Sequence, residues 1–170
     1  MDSGLLDGSV VLMSIRPEFV AAILDGRKRV EFRKSAFRRN VRHVVIYATK
    51  PVMRIVGFFE VGAIDKGTPQ IVWERHGQLG NTDEAFFFSY FGCRDLAVAI
   101  SIGQVTHLDR PLSLPEVDSD MRPPQSFRYL PAQCWHRITD HVQSSSGGCG
   151  HTLASPMAYC RLPAVQQRRG

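Results

Sequence analysis

The chain has 170 residues, 44% of them hydrophobic and 22% charged, the length and balance of one globular domain with its own core. That balance excludes a wholly disordered chain, a collagen-like repeat and a coiled coil, and no apolar run approaches the ~20 residues that span a bilayer. The net charge of +5 is concentrated in residues 27–42, RKRVEFRKSAFRRNVR, whose eight Lys/Arg and one Glu leave −2 for the remainder.

The opening MDSGLLDGSVVLMSI has no basic segment ahead of its apolar stretch, so no secretory signal is expected. Residues 10–15, VVLMSI, are β-branched and apolar and predict a first strand. Pro17 suits the first turn of a helix, in which Phe19, Ala22 and Ile23 share one face. Gly26 closes that helix as a left-handed residue would. A second strand is expected at 28–33, followed by a basic connection over 34–42. HVVIYAT (43–49) predicts a third strand and MRIVGFFEVGAI (53–64) a fourth, with Gly57 and Gly62 marking bulges or close backbone approach. Thr68 and Pro69 start a helix through IVWERHG. Thr82 is expected to cap a second short helix, DEAFFFSYF, whose Phe86, Phe87, Phe88 and Phe91 read as core. RDLAVAISIGQVTH (94–107) predicts a long strand. Beyond Pro111 and Pro115 the chain turns irregular, although RPPQSFRYLP (122–131) is expected to pack as an extended segment. SSSGGCG (144–150) reads as a linker and the last ten residues as frayed. The order βαβββααβ, with short connections between strands 2, 3 and 4, implies α+β with a mainly antiparallel, curled sheet.

The stretch LMSIRPEFVAAILDGRKRVEFRK resembles the ASCH (ASC-1 homology) domain family. The hallmark GxKxxExR is present as Gly26, Lys28, Glu31 and Arg33. VVIYATKPV (44–52), IVGFFEVG (55–62) and PPQSFRYL (123–130) are similar to the longer ASCH proteins described as predicted transcriptional regulators. The resemblance implies a PUA-like small β-barrel of five to six mainly antiparallel strands with about three short helices. Its extent implies a tail at 1–9, the domain at 10–131 and a partly flexible extension at 132–170. It also implies RNA binding in a cleft beside the barrel. A few small members are enzymes, an amidohydrolase acting on N4-acetylcytidine and a ribonuclease, so fold alone does not choose between binder and enzyme. The amidohydrolase relatives carry a threonine where Glu31 stands here, which argues against transferring their nucleophile chemistry to this chain.

Within that frame the basic segment is the electrostatic footprint of a phosphate-bearing partner, or else an arginine-rich solvated surface. Lys28, at a helix-to-strand turn, is a candidate phosphate or base contact or a catalytic amine; a surface lysine is the plain alternative. Glu31 and Arg33, two apart on a strand, share a face opposite Val30 and Phe32. They form either a working pair or a brace in the barrel wall. Tyr47 and Thr49 alternate with Ile46 and Ala48, so Tyr47 is expected to face the cleft and stack on a base, or else simply to pack. Ser14 and Arg16 are expected to line the same cleft, with Thr49, Lys50 and Arg54 extending its rim. Lys34, Arg38, Arg39 and Arg42 complete the candidate nucleic-acid contacts. Glu84 matches the acidic residue of the small amidohydrolases or serves the helix dipole. Ser126 and Arg128 are expected to close one end.

Cys134-x-His136 and Cys149-x-His151 are too tightly spaced for the usual zinc pairs. With Cys93 and Cys160 also widely spaced, the cysteines read as reduced thiols of a cytoplasmic protein, and no metal or cofactor is expected. The leading expectation is a module that takes a single-stranded or extruded nucleotide of RNA. The rival is an enzyme acting on a modified nucleoside or on the RNA backbone, with Lys28 and Glu31 as working groups and Arg33 holding the carboxylate or a developing oxyanion.

Overall fold

The computed structural model describes residues 8–142. The elements are β1 (Ser9–Ile15), α1 (Pro17–Leu24), β2 (Val30–Arg33), β3 (Val41–Ala48), β4 (Arg54–Gly67), α2 (Pro69–His76), a 3-10 turn at Gly77–Leu79, α3 (Glu84–Phe91), β5 (Ala97–Leu112), α4 (Leu114–Val117), β6 (Phe127–Tyr129) and α5 (Ala132–Thr139). The strands form one curled sheet in the order β2-β5-β4-β3-β1-β6. Neighbours are antiparallel except β1 and β3, whose parallel pairing runs from Ser9↔Val41 to Ile15↔Ala48. That pairing needs a crossover, and α1 with β2 supplies it.

The sheet is buried on both faces. On one, Val11, Met13 and Ile15 of β1 pack with Val44 and Ile46 of β3, Phe59 of β4, Val98 and Ile100 of β5, and Val20 and Ile23 of α1. On the other, Leu12, Val45, Tyr47, Phe58 and Leu112 pack under α4 and α5. A third cluster joins Val30 and Phe32 of β2 to Val72 of α2 and Phe87 and Phe91 of α3. Strands buried on two faces read as continuous apolar runs, so alternation in VVIYA cannot tell core from cleft. Tyr47 is accordingly 3% exposed and belongs to the α5-side cluster.

Gly57 sits at a register shift between β4 and β5, where an added Cβ would collide with the Thr106 carbonyl oxygen. Gly26 adopts φ +79° in the turn from α1 to β2. The cap of α3 is Asp83, not Thr82: its carboxylate accepts from the Phe86 backbone N–H at 2.8 Å. RPPQSFRYLP does dock, through β6 antiparallel to β1, and the Leu130 N–H donates to the Val10 carbonyl at 2.8 Å.

The folded body continues past residue 131. In α5, Cys134 and Ile138 are fully buried, and Trp135 stacks on His43 with ring centroids 4.9 Å apart. Ile138→Ala is therefore expected to cost about 2–5 kcal/mol through lost burial and a cavity. Chemical denaturation of the full chain checks this; a loss under 0.5 kcal/mol would make α5 an appendage. The expected linker at 144–150, the frayed end, Cys149, His151 and Cys160 lie outside the described residues.

Candidate nucleic-acid cleft

A cleft of about 320 Å³ opens where the curled sheet fails to close, between β2 on one side and β1 with the segment before β6 on the other. Ser14, Ile15, Arg16, Thr49 and Gln125 line one wall. Lys28, Glu31, Phe32 and Arg33 line the other, and Phe19 of α1 with Thr82, Phe86, Phe87 and Tyr90 around α3 complete it.

The turn after α1 sets the first charge. The Lys28 N–H donates to the Ala22 carbonyl at 2.8 Å, pinning the backbone to the helix end. Its side chain then runs inward, 3% exposed, and Nζ donates to the Gly80 carbonyl at 2.6 Å. The ammonium lies 4.7 Å from the Phe19 ring centroid and 5.4 Å from that of Phe32, a geometry that stabilises a desolvated cation. Strand alternation supplies the other two charges. Glu31 Oε2 is 3.4 Å from Lys28 Nζ, and Glu31 Oε1 is 2.9 Å from Arg33 Nη2. Nη2 also donates to the Ser14 carbonyl at 2.9 Å, so this arginine bridges the open seam from β2 to β1. The three side chains are all buried. One carboxylate thus stands between two cations, with a positive charge in excess when both are protonated. Burial pushes the Lys28 ammonium below its ordinary value; Glu31 opposes that shift and Arg33 adds to it. Burial also raises the Tyr90 phenol.

Gly80 is fixed by contact. An added Cβ would overlap the Phe32 ring, and the residue's carbonyl is the Lys28 acceptor. Gly80→Ala is expected to cost about 1–3 kcal/mol by overpacking, with Phe32 displaced; a thermal melt and the Phe32 ring resonances check it.

Ser14, Arg16, Lys28, Glu31, Arg33 and Thr49 are brought together here. The Ser14 hydroxyl donates to the Pro124 carbonyl at 2.6 Å. Arg16 is exposed at the mouth, 5.4 Å from the Phe86 ring centroid, and Lys34 lies 4.5 Å from that of Tyr90. Arg38 and Arg39 are exposed on the connection into β3, and Arg42 is exposed within that strand. The Arg38 and Arg39 backbone N–H groups donate to the Tyr129 hydroxyl, and the Arg39 guanidinium covers that ring at 4.9 Å. Tyr47 is not in the cleft; its ring lies among Val45, Phe58 and the α5-side core. Lys50, Arg54, Glu84, Ser126 and Arg128 do not line it either. Ser126 and Arg128 instead belong to the β1 edge, through Ser126 carbonyl to Ser14 N–H and Arg128 opposite Leu12. Among the described residues no group of three or more His, Cys, Asp or Glu could hold a metal ion, and no helix is long and apolar enough to cross a membrane.

Residues 13–106 match the ASCH domain family, more than half of the chain. The chain belongs to the ASCH domain family. An ASCH domain-containing ribonuclease of Zymomonas mobilis subsp. mobilis is 32% identical over 128 residues, 73% of this chain and 86% of the relative. The crystal structure of ASCH from Zymomonas mobilis superposes with a TM-score of 0.74 at 29% identity, over 79% of this chain and 96% of that one. The N-terminal domain of Staphylothermus marinus McrB shares the fold at a TM-score of 0.52 and 10% identity, over 82% of this chain and 98% of that one.

In this ASCH domain the sequence reading missed most of the aromatic wall. Phe86, Phe87 and Tyr90 all line the cleft, and Phe87 is at the same time buried against Phe91 in the core. The i,i+4 spacing of Phe86 and Tyr90 was the available signal, because it puts both on one face of α3. Gln125, in an irregular Pro-rich segment, carried no such signal.

Proposed function

We propose that this cleft binds RNA, taking one nucleotide of a single strand or one extruded base. The observation that carries the reading is the buried Lys28–Glu31–Arg33 chain, with its excess cation, at the back of an aromatic-walled cleft. Aromatic side chains offer a base faces to stack on. Exposed Arg16 at the mouth and Arg38, Arg39 and Arg42 beyond it would track the phosphates. A cavity of this size suits one nucleotide and not a duplex.

The reading predicts salt-dependent affinity for a labelled single-stranded RNA. Four phosphate contacts would weaken binding about 50-fold between about 50 and 200 mM salt, from a slope near −0.7 per contact on single strands. Replacing Arg38 and Arg39 together by Ala is expected to flatten the logarithmic slope by about 1.4. Affinity unchanged across that salt range would reject the proposal.

A second reading, that bound RNA is cleaved, is favoured by the name of the Zymomonas relative and by a lysine whose burial eases loss of its proton. Here Lys28 would exchange a proton with the reacting ribose or phosphate group, while Arg33, held by Glu31, would stabilise developing negative charge. The mass of the RNA after incubation separates the two readings: cleavage that vanishes in Lys28→Met supports the enzyme, and an intact strand supports the binder.

A further inference from the structure

The α3 edge of the cleft carries two cations, one from each wall. Phe86 and Tyr90 both line the cleft, one helical turn apart. The Arg16 guanidinium lies 5.4 Å from the Phe86 ring centroid, and the Lys34 ammonium 4.5 Å from that of Tyr90. Arg16 follows β1 and Lys34 follows β2. Three strands separate β1 from β2 in the sheet, so the two charges come together only across the open seam, where both rest on one helix. The field of Arg16 reaches Tyr90 as well: burial raises the Tyr90 phenol, while Arg33, Arg94 and Arg16 oppose the rise and Glu31 adds to it.

Both charges are open to an anion. Among the described residues Lys34 forms no ion pair. Arg16 has only Glu18, at 3.8 Å, with both side chains exposed, and a surface pair of that kind is weak. A cation over an aromatic face is held in place while its N–H groups stay free to donate. Deeper in, Lys28 and Arg33 are already engaged with Glu31 and the walls are largely aromatic, so a phosphate would be costly to desolvate there. A nucleotide within a strand has one phosphate on its 5′ side and another on its 3′ side. Positions i and i+4 of a helix are about 5–6 Å apart, comparable to the step between neighbouring phosphates of an extended strand. We infer that Arg16 and Lys34 clamp the two phosphates flanking one nucleotide, so that the cleft takes an internal nucleotide of an RNA strand rather than a free nucleoside or a strand end. The inference rests on the RNA-binding reading and deepens it.

The test is competition against a labelled mixed-sequence single-stranded RNA bound to the full chain. The competitors are, for each of the four bases, the ribonucleoside, its 5′-monophosphate, its 3′-monophosphate and its 3′,5′-bisphosphate. Each phosphate is expected to raise affinity about tenfold, the effect of one charge-assisted hydrogen bond, so the bisphosphate should compete about 100-fold better than the nucleoside. Arg16→Met and Lys34→Met keep an apolar stem over Phe86 and Tyr90 and remove the charge. One is expected to erase the gain from the 5′ phosphate alone, and the other the gain from the 3′ phosphate alone. A diffuse basic surface would not produce that division, because the two monophosphates carry the same charge. Should one variant fail to fold, the other still has to act on a single phosphate. A bisphosphate within twofold of the better monophosphate, or a variant that weakens both monophosphates alike, overturns the inference and leaves RNA binding standing. So does failure of every competitor while the labelled RNA stays bound. A labelled RNA that does not bind overturns both proposals.

Discussion

Glu31→Gln is expected to lower the stability of the fold by about 3–5 kcal/mol, the cost typical of breaking a buried ion pair by removing one partner. The size follows from the arrangement. The Glu31 carboxylate is the only anion in contact with the Lys28 ammonium and the Arg33 guanidinium among the described residues. Glutamine keeps the shape and one acceptor oxygen but removes the charge, which leaves two desolvated cations facing each other. At about 2–4 °C per kcal/mol for a chain of this length, the melting midpoint should fall by roughly 6–20 °C. Adding Lys28→Met to Glu31→Gln should recover part of the loss, because one of the uncompensated cations goes with it. That coupling is the signature of a charge network rather than of lost packing, and a double-mutant cycle measures it. A Glu31→Gln midpoint within 2 °C of wild type would mean that the triad is solvated and does not organise the cleft.

The triad was legible in the sequence because each of its members obeys a local rule. Gly26 releases the chain from α1 in a left-handed turn, which places Lys28 next to the helix end. Alternation along a four-residue strand then puts Glu31 and Arg33 together, away from Val30 and Phe32. Tyr47 obeyed the same alternation and misled, because its strand is covered on both faces. What covers it is α5, an eight-residue helix after Pro131 whose apolar face, Cys134 and Ile138 at i,i+4, was there to read but was assigned to an extension beyond the domain. Its buried Cys134 and Ile138 and half-buried Trp135 depend on contacts with β3, β4 and β5, far away in the sequence. The aromatic wall failed to show for a related reason: a run of phenylalanines identifies an apolar helix but does not say which of its faces meets the sheet. The chain order of elements through β5 was readable; the order of strands in the sheet and the parallel β1–β3 pairing were not, since only the folded structure fixes which strand receives β1.

Lys28→Met is expected to have the opposite profile to Glu31→Gln, a large functional loss on a nearly intact fold. Methionine keeps the apolar stem that packs against Phe19 and Phe32, and it leaves Glu31 paired with Arg33. The Gly80 carbonyl loses its donor, at a cost of about 1–3 kcal/mol, and relief from burying a charge offsets part of that. A midpoint within about 5 °C of wild type is expected at pH 7. RNA affinity should fall about 10- to 100-fold if Lys28 donates to the ligand. A cleavage rate, where one is measured, should fall about 10²- to 10⁴-fold for loss of a proton-transfer group. The pH dependence gives an independent check. Burial depresses the folded-state pKa of Lys28 below the unfolded 10.5. Between those two values the unfolded chain holds a proton that the folded chain has released, so stability attributable to Lys28 rises with pH. That contribution is complete above 10.5 and is lost as pH falls through the folded value. Wild type should therefore gain midpoint relative to Lys28→Met on going from pH 7 to pH 10. A difference that stays flat, together with unchanged RNA affinity, would remove Lys28 from the site and leave Arg33 and the aromatic wall as the whole of the recognition surface.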